Sequence, residues 1–364
     1  MTGNSPSQCD GRMKQEEGMV MRFGLFIMGT ESGTYQDILE QVQVAEELGF
    51  DGVWLGERHF EHGQLLYSSP FHAAAAMAAK TNRIRIGTAG RILALDHPIH
   101  VAEDAATLDI LSGGRLDLGV TRAGLDERFH QIFERPVEDT RQGQFEEALE
   151  IIVKAWTCER FAYEGRYYQI PEISVLPKPL QKPRPPIYVV AVSRLTMAFA
   201  AQKGYPVFIG ALQTPRELKE TLTFYWQTFR EAGHNGVAVD LPVNRFLYVG
   251  ESNAKAREEI AEPFWSFIQH KAPDLKLALQ GKYGEKGFRL ERFLEDFCIF
   301  GDPDLCVTRI KELQDIGVTY LMCTLNFITM EHKLCLKSME RFATEVMPHF
   351  KEAPHGELLA GVTR

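Results

Sequence analysis

A (β/α)8 TIM barrel of the α/β class is predicted by three features of this 364-residue chain. Short apolar runs alternate strictly with amphipathic segments, about eight such units occur, and the length suits one barrel of about 250 residues with insertions. Strict alternation obliges the strands to run parallel. Eight units favour closure into a barrel over an open doubly wound sheet, which is the alternative architecture.

Residues 1–20 (MTGNSPSQCDGRMKQEEGMV) are polar and aperiodic. They read as a disordered extension, which sets the barrel at 21–350 and leaves 351–364 as a tail. Phe23–Ile27 is the first strand. Thr34-Tyr-Gln-Asp37 is a capping box ahead of Ile38, Val42, Ala45 and Leu48 at helical spacing, and Gly49 ends that helix. Further strands are expected at Val53–Leu55, Ile84–Ile86, Leu116–Leu118, Ile187–Val190, Val207–Ile209, Phe246–Val249 and Tyr320–Cys323. Helices with readable ends lie between them. One carries Val101, Ala105 and Leu108 and stops at Gly113-Gly114; another carries Phe145, Leu149, Ile152 and Trp156. A third starts at Thr214-Pro-Arg-Glu217, and a fourth runs from Asp302-Pro to Gly317. Two stretches break the alternation, placing insertions after strands 4 and 7. Phe161–Pro186 is too proline-rich for helix and suits a hairpin with an extended arm, whereas Lys271–Phe300 mixes aromatics with charge. Both are expected to wall or cover a site at the strand carboxyl ends.

A formal net charge of −9 would repel a phosphate backbone or an anionic membrane surface, so nucleic acid and membrane are not expected partners. Cys9, Cys158, Cys298, Cys306, Cys323 and Cys335 form no C-x-x-C pair, and neither an apolar leader nor a membrane-length apolar run is present. The expectation is a soluble cytoplasmic protein with reduced thiols. No dinucleotide fingerprint follows a strand.

Four turns carry residues that could build a site. Ile187–Val190 runs through Ala191 and Val192 into a helix capped by Ser193, whose free N–H groups and dipole suit a phosphate; Thr196 lies three residues on, able to face the same anion. An ordinary capped helix would look the same. Leu116–Val120 delivers Thr121 and Arg122 to the barrel mouth, where Arg122 could meet a phosphate or form a surface ion pair. Gly87-Thr-Ala89-Gly90 ends a strand with residues small enough to admit a flat ring, or simply to pack tightly. Glu57-Arg58-His59-Phe60-Glu61-His62 crowds two carboxylates, two imidazoles and a guanidinium beyond one strand, a concentration that favours a site over a solvated loop.

Taken in this order, the four turns resemble the bacterial-luciferase-like family of flavin monooxygenases. The match spans about Met21 to Phe350 and also takes in His97-Pro, the Glu103–Arg115 helix end and Glu345-Val-Met-Pro348. The resemblance implies a monooxygenase that uses reduced FMN and O2, through a C4a-peroxyflavin, to hydroxylate a small organic substrate or oxidise it in Baeyer–Villiger fashion. It places Arg122, Ser193 and Thr196 on the flavin phosphate, with Val192 on the same turn. It puts an unusual cis peptide at Ala89–Gly90 against the flavin ring, Thr121 near the reactive edge, and Asn326 in the substrate cavity. The chain departs from the luciferase catalytic subunit at Arg58, where that subunit has its proposed histidine base. A guanidinium is no base. His59 becomes the acid–base candidate, with Glu57, Arg58 and Thr121 beside it, and the Glu-Arg-His-Phe variant resembles enzymes of natural-product pathways. The resemblance further implies a separate flavin reductase, a homodimer, and a small-molecule substrate, free or carrier-tethered. Rival readings are a deazaflavin (F420)-dependent oxidoreductase, a non-catalytic flavin-binding subunit, and a metal-dependent hydrolase; no complete metal ligand set is evident.

Overall fold

The computed structural model describes residues 20–27, 34–59, 68–122, 132, 141–191, 193–235, 239–270, 290–327 and 329–351. All but the last residue of the expected N-terminal extension and all but the first residue of the tail lie outside these.

The main sheet contains the expected strands: β1 (Arg22–Ile27), β2 (Gly52–Leu55), β3 (Arg85–Thr88), β5 (Leu116–Thr121), β8 (Ile187–Val190), β9 (Val207–Phe208), β10 (Pro242–Val249) and β12 (Tyr320–Thr324). Neighbours in the order β10-β12-β1-β2-β3-β5-β8-β9 are paired in parallel. Beyond β9, Ile209 donates to the Pro242 carbonyl at 2.8 Å and accepts from Asn244 N at 2.9 Å. This parallel bridge to Val243 returns the sheet to β10, so the ring of eight described strands is closed.

Helices follow the strands: α1 (Tyr35–Glu47), α2 (Pro70–Lys80), α3 (Pro98–Leu111), α4 (Arg141–Thr157), α5 (Arg194–Gln202), α6 (Pro215–Glu231), α7 (Asn253–His270), α8 (Leu290–Phe297), α9 (Pro303–Asp315) and α10 (His332–Arg341). Their ends obey the sequence. Thr34 and Asp37 form the expected capping box on α1, as do Thr214 and Glu217 on α6. Asp302 caps α9 through Leu305 N. At the end of α3 the chain must reverse sharply, and Gly113 and Gly114 take φ of +68° and +82°, a region that side chains disfavour.

Alternate strand residues face opposite ways. Outward ones, such as Leu25, Val53, Ile86, Leu118 and Leu321, bury themselves under the helices in one continuous core. Inward ones, Trp54, Tyr188, Phe208, Tyr320 and Met322, fill the barrel, with Phe26, Ala89 and Val190 packed on them. The Trp54 indole fits because Gly87 beside it has no side chain: a Cβ there would overlap the ring. Its Nε1 faces the Tyr320 hydroxyl at 3.4 Å.

The segment after α4 forms the expected hairpin, β6 (Phe161–Glu164) with β7 (Gln169–Ile173). It follows a helix, not a strand, and its tip lies along α4: Tyr167 and Tyr168 give their N–H groups to Glu147, and the Tyr168 hydroxyl accepts from Gln144 at 3.2 Å. Of the second interrupted segment, residues 271–289 are outside the described range. The remainder folds as α8 and an added strand, β11 (Cys298–Gly301), paired with β10. The strand β4 (Arg91–Ile92) was also not anticipated. β10 begins four residues ahead of its expected start because Asn244 and Arg245 interrupt the apolar run while still being buried. No described helix is long and apolar enough to cross a membrane.

Candidate active site

The strand carboxyl ends bring three of the four predicted turns into one connected surface. Glu57, just past β2, is buried, with its side chain fully shielded. Its Oε1 accepts from His59 Nε2 at 2.9 Å and from Arg91 Nη1; its Oε2 accepts from Ile92 N at 2.7 Å. Arg91 also pairs with Asp96 through Nη2. A buried carboxylate needs such donors to offset its desolvation. Glu57 therefore fixes the His59 ring and clamps the turn after β3 to the turn after β2. Arg58 projects outward and is exposed.

The clamped turn contains Ala89–Gly90, whose peptide is cis although no proline follows. The approach is close enough that a Cβ on Gly90 would come within 2.8 Å of both the Val120 carbonyl carbon and Val190 Cγ2. Only glycine fits between β5 and β8 here. Arg91 and Ile92 then pair with Val120 and Thr121, which aligns the end of β5 with this turn.

Thr121 ends β5 half-buried, on the same strand face as Gly119 and Asp117. Arg122 follows it. Among the described residues its hydrogen-bond partner is the neutral Gln142, at 3.3 Å, and the side chain lines a small cleft with Leu93, Ala94, Gln144 and Phe145. Past β8, Ser193 caps α5 by accepting from Thr196 N, and the two hydroxyls are 3.0 Å apart. Val192 lies outside the described residues.

Asn326, two residues past β12, is buried and donates from Nδ2 to Gln41 of α1 at 3.3 Å. Gln41 continues to His332 Nδ1 at 3.1 Å, and His332 Nε2 meets Glu40 at 2.9 Å. The Asn326 amide is thus tied toward the helix layer. Glu61 and His62 of the crowded turn after β2, which with Glu57 and His59 would be the ligands of the metal-dependent hydrolase rival, lie outside the described residues. Among the described ones, the grouping with metal-ligand spacing is Asp37, Glu40 and His332 on α1 and α10, not Glu57 and His59.

Sequence reasoning did not single out Arg91. Its signal was modest, a cation immediately after a small-residue turn, and its role exists only because folding sets Glu57 beside it.

The profile of the luciferase-like monooxygenase family matches residues 19–320. The chain belongs to that family. This luciferase-like monooxygenase is 26% identical to the oxygenase component of the flavin-dependent trigonelline monooxygenase of Acinetobacter baylyi, over 92% of this chain and 96% of the relative. Among solved structures it superposes on the monooxygenase RslO1 of Streptomyces bottropensis with a TM-score of 0.80 and 24% identity, covering 91% of this chain and all of that one. The oxygenating constituent of 3,6-diketocamphane monooxygenase from Pseudomonas putida, a type II Baeyer–Villiger enzyme in complex with FMN, gives 0.77 and 19%, covering 91% and 98%. The family rests on the profile match, and the two superpositions show the α/β barrel fold. As a member the chain is a flavin-dependent oxidoreductase that incorporates oxygen.

Proposed function

We propose that this monooxygenase is the oxygenase component of a two-component system, binding reduced FMN at the turns after β3, β5 and β8 and oxygenating a small organic molecule. The observation that carries the reading is the junction of β8 and α5. There the capped helix end, with Ser193 and Thr196 hydroxyls 3.0 Å apart, follows a strand whose Val190 packs against Gly90.

The residues fit the cofactor chemically. A helix N-terminus, two hydroxyls and Arg122, whose described partner is neutral, suit a dianionic phosphate. The side-chain-poor Ala89–Gly90 surface suits a flat ring. Reduced FMN, when bound, supplies the two electrons that let one atom of O2 enter the substrate while the other leaves as water. The protein's task is to hold, desolvate and proton-manage that chemistry. Glu57 holds the His59 ring as the acid–base group, Thr121 presents a hydroxyl at the inward end of β5, and the aromatic interior keeps water away. Glu57 itself is a positioning residue, since its oxygens already serve His59, Arg91 and Ile92.

The trigonelline relative is named as an oxygenase component, which supports a separate reductase as donor of reduced flavin. A homodimer, a cytoplasmic location, and a substrate from natural-product metabolism, free or carrier-bound, complete the reading.

The test is to mix the protein with photoreduced FMN and then with air-saturated buffer. Reoxidation far slower than that of free reduced FMN is expected. In His59→Ala the flavin should still bind while O2 is released as H2O2. Reoxidation at the free-flavin rate, with retention of F420 instead, would replace this reading by deazaflavin-dependent hydride transfer.

A further inference from the structure

The outer helix layer is open on one side. α3 packs along α4 and α5 along α6, but α4 and α5 do not pack along their lengths. They meet at the Phe145–Phe199 ring contact, with centroids 6.0 Å apart, and at the Lys203–Glu150 ion pair, 3.6 Å long. Between them lies an open cleft of about 190 Å³, floored by Leu149, Val153, Phe199 and Tyr205. Leu195, one turn before Phe199 on the same face of α5, is 63% exposed and prolongs this apolar strip. Arg194 beside it turns away, its guanidinium 4.0 Å from the centre of the Phe224 ring on α6. Exposed apolar surface with a charged rim marks a place where another macromolecule docks.

The charges on that rim are ordered along it. α4 presents Glu146 and Glu150 first and Lys154 one turn later, and α5 presents Lys203 at its C-cap. In a barrel both helices run from the carboxyl ends of the strands toward the amino ends. Acid therefore gathers at one end of the cleft and base at the other. The Glu150 and Lys203 side chains are half exposed, so their mutual pair leaves both able to meet a further charge.

A strip that runs from acid to base is complementary to itself when turned end for end, whereas a partner of uniform charge would match only one end. We propose that a second copy of this chain docks here, α4–α5 against α4–α5 about a two-fold axis. The Leu195–Phe199 strip of each copy covers apolar surface of the other, and Glu146 and Glu150 face Lys154 and Lys203 across the axis. The contact gives a face to the homodimer of the reading above, and it lies on the helix whose first turn carries Ser193 and Thr196.

Sedimentation velocity of the full chain over a concentration series tests it. The wild type should sediment as an even-numbered oligomer, and Leu195→Gln and Glu150→Lys should each halve that mass, through a weakening of about tenfold or more. Glu150→Lys combined with Lys203→Glu should recover the wild-type mass, because reversing both charges leaves each opposite its complement. Circular dichroism matching the wild type shows that the variants are folded. A wild type of single-chain mass at every concentration, an unchanged mass in either single variant, or a double variant that stays dissociated overturns the proposal. If the masses hold but turnover falls with an added flavin reductase and not with photoreduced FMN, the cleft belongs to the reductase. FMN titration of the same samples separates this proposal from the flavin reading, since a chain that binds no FMN and still halves its mass sinks only the latter.

Discussion

Glu57 accepts the main-chain N–H of Ile92 at 2.7 Å, so a carboxylate just beyond β2 holds the backbone just beyond β3. Its other oxygen takes His59 and Arg91 together. One buried side chain thereby sets the acid–base candidate and the Ala89–Gly90 turn in a single frame.

Glu57→Gln keeps the shape and removes the charge, placing an NH2 group among donors. Loss of charge-assisted hydrogen bonds should destabilise the fold by roughly 1.5–3 kcal/mol, read from the urea midpoint. The variant should also release more H2O2 per flavin oxidised, because His59 is no longer oriented. Wild-type stability and coupling together would show that the clamp has no consequence.

Arg122→Ala should weaken FMN binding by about 10–100-fold, the range of a charge-assisted contact, while leaving riboflavin affinity unchanged. Fluorescence titration with both flavins checks this. A parallel loss for riboflavin would move Arg122 from the phosphate to the ring. Ser193→Ala combined with Thr196→Val should act in the same phosphate-selective direction.

Gly119→Ala should fail to fold stably, since a Cβ there would overlap the Thr88 carbonyl oxygen on the neighbouring strand. Thr88→Val gives a milder case. The Thr88 hydroxyl donates to Gly119 O at 2.6 Å and accepts from Gly119 N at 3.0 Å, and losing both in a buried setting should lower stability by roughly 1–3 kcal/mol. Thermal unfolding of the two variants against wild type measures the order.

Glu46, at the end of α1, gives the pH dependence. Burial alone would raise its carboxyl pKa, but the N–H groups of Ile84, Arg83 and Asn82 outweigh that and hold it below the ordinary 4.5. A depressed folded-state pKa means that the unfolded chain takes up the proton first. The stabilisation is therefore complete above about pH 4.5 and lost as pH falls through the lower folded value. Glu46→Gln should be less stable than wild type at neutral pH, with the difference shrinking on acidification. A difference that grows toward low pH would contradict the assignment.

The sequence by itself determined the periodic parts of the protein. Apolar runs such as Ile187–Val190 and caps such as Thr34, Ser193 and Thr214 act through neighbours a few residues away, so their chemistry is legible locally. The small-residue turn at Ala89–Gly90 and the Glu57–His59 cluster were visible for the same reason, as unusual residue types in a short span. Only the tertiary structure decided what those groups touch. The pairing of Glu57 with Arg91, separated by 34 positions, and of Asn244 with Thr324, separated by 80, depends on barrel closure and strand register. Strand β10 shows the limit most plainly: Asn244 and Arg245 read as surface residues in one dimension. They are buried because Thr324 and the carbonyls of Ala211, Gln213 and Asn244 replace the water they would otherwise need.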